Sequence, residues 1–129
     1  MSKYLLNKLV RDNIPADQLQ SGQNPVYRRL DPKQHAAALV EKLIEEAKEI
    51  PVHDKAEAIK EIADVRQVLE DLETILGLKS EDITKAQAKK LARNGGFKEG
   101  YYVESVSPDD GSDWDKYYGS EPDRFIKVV

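Results

Sequence analysis

Apolar side chains recur at helical spacing through the middle of the chain. Ile62, Val65, Leu69, Leu72 and Leu76 define one face between residues 55 and 76, and charged residues fill most of the remainder. The pattern predicts a helix over Lys55–Leu76, capped by Asp54 with Glu57 at its third position and ended by Gly77. Before it, Asp31-Pro32-Lys33-Gln34 combines an N-cap, a proline at the first helical position and a capping-box glutamine. The helix starting there carries Val40, Leu43, Ile44 and Ala47 as its core stripe and stops near Ile50, because Pro51 cannot continue it. At 1.5 Å per residue the two helices run about 28 and 33 Å, a matched antiparallel hairpin.

Shorter elements flank this pair. Pro15 opens a short helix through Gln20, closed by Ser21-Gly22. Ser80 caps a further helix with Glu81 and Asp82 in its first turn, and Lys89, Lys90 and Arg93 towards its end, where Asn94-Gly95-Gly96 stops it. From Phe97 onward the pattern changes. Residues 101–106 and 125–129 read as strand-like runs around a turn-rich stretch at 108–113, so the tail is irregular or two-stranded. Trp114, Tyr117 and Tyr118 either stack on a base or fasten the tail.

Two acidic couples, Glu46-x-x-Glu49 and Glu61-x-x-Asp64, lie on either side of the break at Pro51, with Glu46 and Glu61 about equally far from the turn that follows it. Residues three apart share a helix face, so an antiparallel hairpin sets these carboxylates, with Glu45, around one small volume. Glu61 projects within roughly 20° of Val68 and Leu72, inside the apolar arc. No Lys or Arg lies three or four residues from it. An unpaired carboxylate there is costly unless it is protonated, paired or metal-bound. The alternative is a solvated acidic face with local compensation, in which Lys42 pairs with Glu46 and Lys48 or His53 partly neutralises Glu49.

Composition narrows the choice. The chain has 129 residues, 34% of them charged, and reads as a single domain, with a helical core over about 3–97 and a tail over 98–129. Its net charge of −4 disfavours a nucleic-acid polymer as partner. No cysteine is present, which excludes disulfides, thiolate metal sites and a thiol nucleophile, and suits a cytoplasmic location. No apolar run is long enough for a signal peptide or a membrane span. A metal held here has oxygen ligands only, which suits Mg²⁺ or Mn²⁺, and the absence of a Glu-x-x-His pair argues against a di-iron bundle. Lys8 and Arg11 read either as a phosphate clamp or as an ordinary basic segment.

The motif Glu45-Glu46-x-x-Glu49, followed after eleven residues by Glu61-x-x-Asp64, resembles the signature of the MazG-like all-α nucleoside triphosphate pyrophosphohydrolases, relatives of phosphoribosyl-ATP pyrophosphohydrolase and of dimeric dUTPases. Lys8-Leu9-Val10-Arg11-Asp12-Asn13-Ile14-Pro15 is similar to an N-terminal segment of one branch, and Asn94-Gly95-Gly96-Phe97 to its Arg-Gly-Gly-Phe ending. The resemblance covers roughly residues 3 to 104 and implies an all-α antiparallel helical bundle. It implies a homo-oligomer, dimer or tetramer, that hydrolyses a nucleoside triphosphate to monophosphate and pyrophosphate with Mg²⁺. By position it makes Glu46, Glu49, Glu61 and Asp64 metal ligands, Glu45 a carboxylate that orients water or a ligand, and Lys8, Arg11 and Arg93 phosphate contacts. Asn94 stands where the branch often has arginine, which leaves the phosphate contact open between Arg93 and Asn94. The rival reading is a non-catalytic helical module whose acidic face binds a partner.

Overall fold

The structure, a computed structural model, describes residues 1–129. It is all-helical: α1 (Ile14–Gln20), α2 (Pro32–Lys48), α3 (Lys55–Ile75), α4 (Ser80–Asn94) and α5 (Asp113–Gly119), with no strand. The chain divides into two compact units, Met1–Lys90 and Leu91–Val129. In the first, α2 and α3 are the only elements packed extensively on each other.

The caps form where the residue types require them. The Gln34 backbone N–H donates to Asp31 Oδ1 at 2.8 Å, and the Glu57 N–H to Asp54 Oδ1 at 3.2 Å, each satisfying an orphan donor at a helix start. At the end of α3 Gly77 takes φ +68°, and the Leu78 N–H reaches the Glu73 carbonyl at 2.9 Å. This six-to-one closure needs a residue without Cβ strain at the turn. Ser80 lies inside α4; the Lys79 carbonyl accepts the first helical bonds there.

The core runs along a line different from the one expected. Leu39 is the only buried apolar residue, and Glu46 the only buried charged one. On α3 the half-buried residues include Ala58, Glu61, Val65, Val68, Leu72 and Ile75, spaced alternately three and four apart. Of the expected stripes, Val65, Leu72 and Leu43 are half-buried. Val40, Ile44, Ala47, Ile62, Leu69 and Leu76 are exposed. Each helix has an apolar arc wide enough to supply two stripes, and within one chain α2 and α3 cover only one stripe of each. Every residue of α4 is exposed.

In the second unit the strand-like runs do not pair, so the two-stranded alternative for the tail is not realised. The stretch at 108–113 does turn, at Asp110-Gly111, and leads directly into α5, with Ser112 Oγ accepting from the Asp115 N–H at 3.2 Å. Trp114, Tyr117, Tyr118 and Phe125 pack on one another with ring centroids 4.9 to 6.0 Å apart. Arg124 lies over Phe125 and pairs with Glu121 at 2.7 Å. The aromatic residues therefore fasten the tail to itself, since aromatic area is the cheapest apolar area available to so short a segment.

Because Leu39 is the most buried apolar residue of the hairpin, Leu39→Ala should destabilise the protein by about 3 kcal/mol, the usual loss for a buried leucine. Urea unfolding followed by circular dichroism measures it. A loss below about 1 kcal/mol would show that the core lies elsewhere.

Candidate metal centre

The hairpin brings Glu46 of α2 against Glu61 and Asp64 of α3. One oxygen from each of the three lies within 4.8 Å of the others. Glu46 is buried and the other two are half-buried. Glu61 arrives there because it occupies the inward line of α3, between Ala58 and Val65. Although the residue is only half-buried, its Oε2 atom is shut off from solvent and has no hydrogen-bond donor. That orphan is the informative feature, since buried polar atoms almost always find a partner.

The surrounding charges are compensated unequally. Lys42 Nζ reaches Glu46 Oε1 at 3.1 Å and Glu45 Oε1 at 3.4 Å, from a side chain only 18% exposed. Desolvation alone would lower the Lys42 pKa, but the bonds and charges of Glu46 and Glu45 outweigh it and raise the ammonium above its ordinary value. Arg11 Nη2 donates to Asp64 Oδ1 from the N-terminal segment. No cation reaches Glu61. Its pKa is raised, first by desolvation, then by the adjoining Glu46 carboxylate, with the charges of Glu49 and Asp64 adding to it.

Beside the cluster lies a cavity of about 550 Å³, inside the range of roughly 300–1,000 Å³ typical of small-molecule sites. Glu46 and Asp64 line it together with Lys8, Arg11 and Lys42. Leu9, Leu39 and Val68 give it apolar wall, and Gln67 and Asp71 extend it along α3. Thus Lys8 and Arg11, read from sequence as a clamp or as plain basic residues, do share one cavity with the acidic cluster. Glu45 sits beside Lys42 on the edge of the site. Glu49 is the exposed C-cap of α2; it stands outside the three-carboxylate set but acts electrostatically on Glu61. Arg93 belongs to the second unit.

Sequence reasoning missed three features. The Arg11–Asp64 pair joins residues 53 apart, and no local pattern reports such a contact. His35, expected at the surface, is half-buried and lines the cavity. Gln67 and Asp71 were legible in principle, because they follow Asp64 at i+3 and i+7 and must share its face. Comparison with protein-family models, curated proteins and solved structures returns no match.

The donor set fits a hard divalent cation: three carboxylates, no nitrogen or sulfur ligand, and one buried oxygen without any partner. The metal-free cluster is correspondingly strained. A carboxyl whose folded pKa is raised favours folding below its unfolded pKa, and that contribution is lost as pH rises through the folded value. Glu61→Gln should therefore leave the melting temperature of the metal-free protein unchanged or higher at pH 7.5, with the difference vanishing towards pH 4. Thermal melts in EDTA at both pH values test this, and a large loss at pH 7.5 would expose a structural partner of Glu61.

Proposed function

We propose that the protein is a Mg²⁺-dependent nucleotide pyrophosphohydrolase, cleaving a nucleoside triphosphate or related nucleotide to the monophosphate and pyrophosphate. The observation that carries this reading is the partnerless Glu61 oxygen inside the Glu46–Glu61–Asp64 cluster, next to the cavity of about 550 Å³ lined by Lys8 and Arg11. The resemblance of the acidic motif to the MazG-like signature points the same way. Glu46, Glu61 and Asp64, with Glu49 at the rim, would hold Mg²⁺ or Mn²⁺. When bound, that ion supplies charge neutralisation on the phosphates and acidifies water.

The chain's own residues do the rest. Lys42 holds Glu45 and Glu46 in place from one side, which fixes the geometry of both carboxylates. By the family resemblance Glu45, on the edge of the site, would orient the attacking water and receive its proton. The water oxygen bonds to the α-phosphorus as the bond from that phosphorus to the bridging oxygen breaks, and pyrophosphate leaves with that oxygen. Lys8 and Arg11 meet the charge of the departing group, which suits attack at the α-phosphorus: no glycine-rich loop is present to cradle a γ-phosphate.

The same reading includes a second copy of the chain. Ile59, Ile62 and Leu69 on α3 and Val40 and Ile44 on α2 form apolar stripes left 42% to 71% exposed, and every residue of the fifteen-residue helix α4 is exposed. Isolated helices of that length are marginal in water. A two-fold pairing of hairpins buries like against like at no further design cost.

Two measurements follow. Incubation of a nucleotide panel with Mg²⁺ in ¹⁸O-labelled water should yield monophosphate and pyrophosphate in equal amounts, with the label in the monophosphate. Orthophosphate as first product, or label in pyrophosphate, would refute attack at the α-phosphorus; no Mg²⁺-dependent turnover at all would favour the interaction-module reading. Sedimentation of the wild type should show an oligomer that Leu69→Asp dissociates or unfolds, whereas a wild-type monomer with an apolar stripe still exposed would end the pairing idea.

A further inference from the structure

The two cations at the cluster differ in how firmly they are held. Lys42 and Glu46 have side chains 18% and 11% exposed, and Lys42 bridges two carboxylates. Arg11 and Asp64 are 60% and 37% exposed and touch through one guanidinium nitrogen. Exposed pairs of this kind are worth little and are readily exchanged. The backbone at Arg11 is nevertheless fixed, because the Ile14 N–H donates to the Arg11 carbonyl at 3.0 Å where α1 begins. Only the side chain is free to leave. It lines the cavity with Lys8, so a guanidinium released from Asp64 remains beside any phosphate bound there.

We infer that Arg11 and a divalent cation compete for Asp64, and that Arg11, once displaced, becomes the clamp for the substrate's phosphates. This rests on the metal reading given above. In the metal-free protein Arg11 stands in for part of the missing positive charge. When a divalent ion enters, Arg11 leaves, since two cations on one carboxylate repel each other, and its planar fork then pairs with phosphate oxygens, which it matches better than a single carboxylate oxygen. Metal loading and phosphate capture are coupled through one side chain.

The test is isothermal titration with Mn²⁺ alone, followed by titration of inorganic pyrophosphate into the Mn²⁺-saturated protein. Arg11→Met should bind Mn²⁺ about five- to tenfold more tightly than wild type, yet bind pyrophosphate about tenfold more weakly, changes within the usual range of site coupling. Arg11→Lys, which keeps the charge but loses the fork, should show a smaller gain in Mn²⁺ affinity and still lose pyrophosphate affinity; it serves if the Met variant does not fold. Mn²⁺ affinity equal to or below wild type in either folded variant would overturn the competition, and a fall would mean that Arg11 instead orients the Asp64 carboxylate. Undiminished pyrophosphate binding would overturn the clamp. Failure of wild type to bind Mn²⁺ at all would take the metal reading down with it.

Discussion

The first unit depends on one awkward placement: a glutamate on the inward line of α3 facing a glutamate on α2. Glu61 sits where a helix of purely structural purpose would put leucine or valine, between Ala58 and Val65 and one turn from Asp64. Helix periodicity leaves no freedom in the matter. Once Val65, Val68 and Leu72 point inward, residue 61 must follow them. The packing of the hairpin and the gathering of carboxylates are thus one event, and the charge imbalance at Glu61 is the cost of closing the hairpin with this sequence. The capping at Asp31 and Asp54 acts upstream of this, by setting where each helix starts and hence which carboxylates meet.

The second constraint is the shortage of apolar cover. The outer stripes of α2 and α3, through Val40, Ile44, Ile62 and Leu69, are as regular as the inner ones but stay about half exposed. A wide apolar arc is costly to leave in water and serves no purpose on a lone hairpin. It is what a helix needs when it packs on two sides.

This also explains what could be read from the sequence and what could not. Helix positions, caps and the break at Pro51 were legible because they follow from local chemistry: Asp31 and Asp54 cap as their residue types require, and Gly77 turns where only a residue without Cβ turns easily. The inward bias of Glu61 was legible from angle alone. The division between inner and outer stripes was not, because periodicity reports that a face is apolar and never says which neighbour covers it. Val40, Ile44, Ile62 and Leu69 were rightly seen as apolar positions of their helices and wrongly placed in the chain's own core. In the tail, β-branched and aromatic content suggested strands at 101–106 and 125–129, but two short runs with no sheet to join gain little from pairing. Clustering of Trp114, Tyr117, Tyr118 and Phe125 around α5 gains more.

The compensation of the acidic cluster is divided between local and distant partners, and the division has a physical logic. Lys42 lies four residues from Glu46 on the same helix, so their pairing is present whenever α2 is formed and requires no tertiary structure. The Arg11–Asp64 contact closes a loop of 53 residues and exists only after the N-terminal segment has come to rest beside α3. A cation supplied that way is the less buried of the two, hence the readier to exchange for something else. Between these two lies Glu61, out of reach of both, with an oxygen that neither cation satisfies. A cluster meant only to be neutral would have placed a basic residue one turn from Glu61. Its absence, together with a firm cation on one flank and a loose one on the other, leaves a cluster whose charge and hardness suit a small divalent ion.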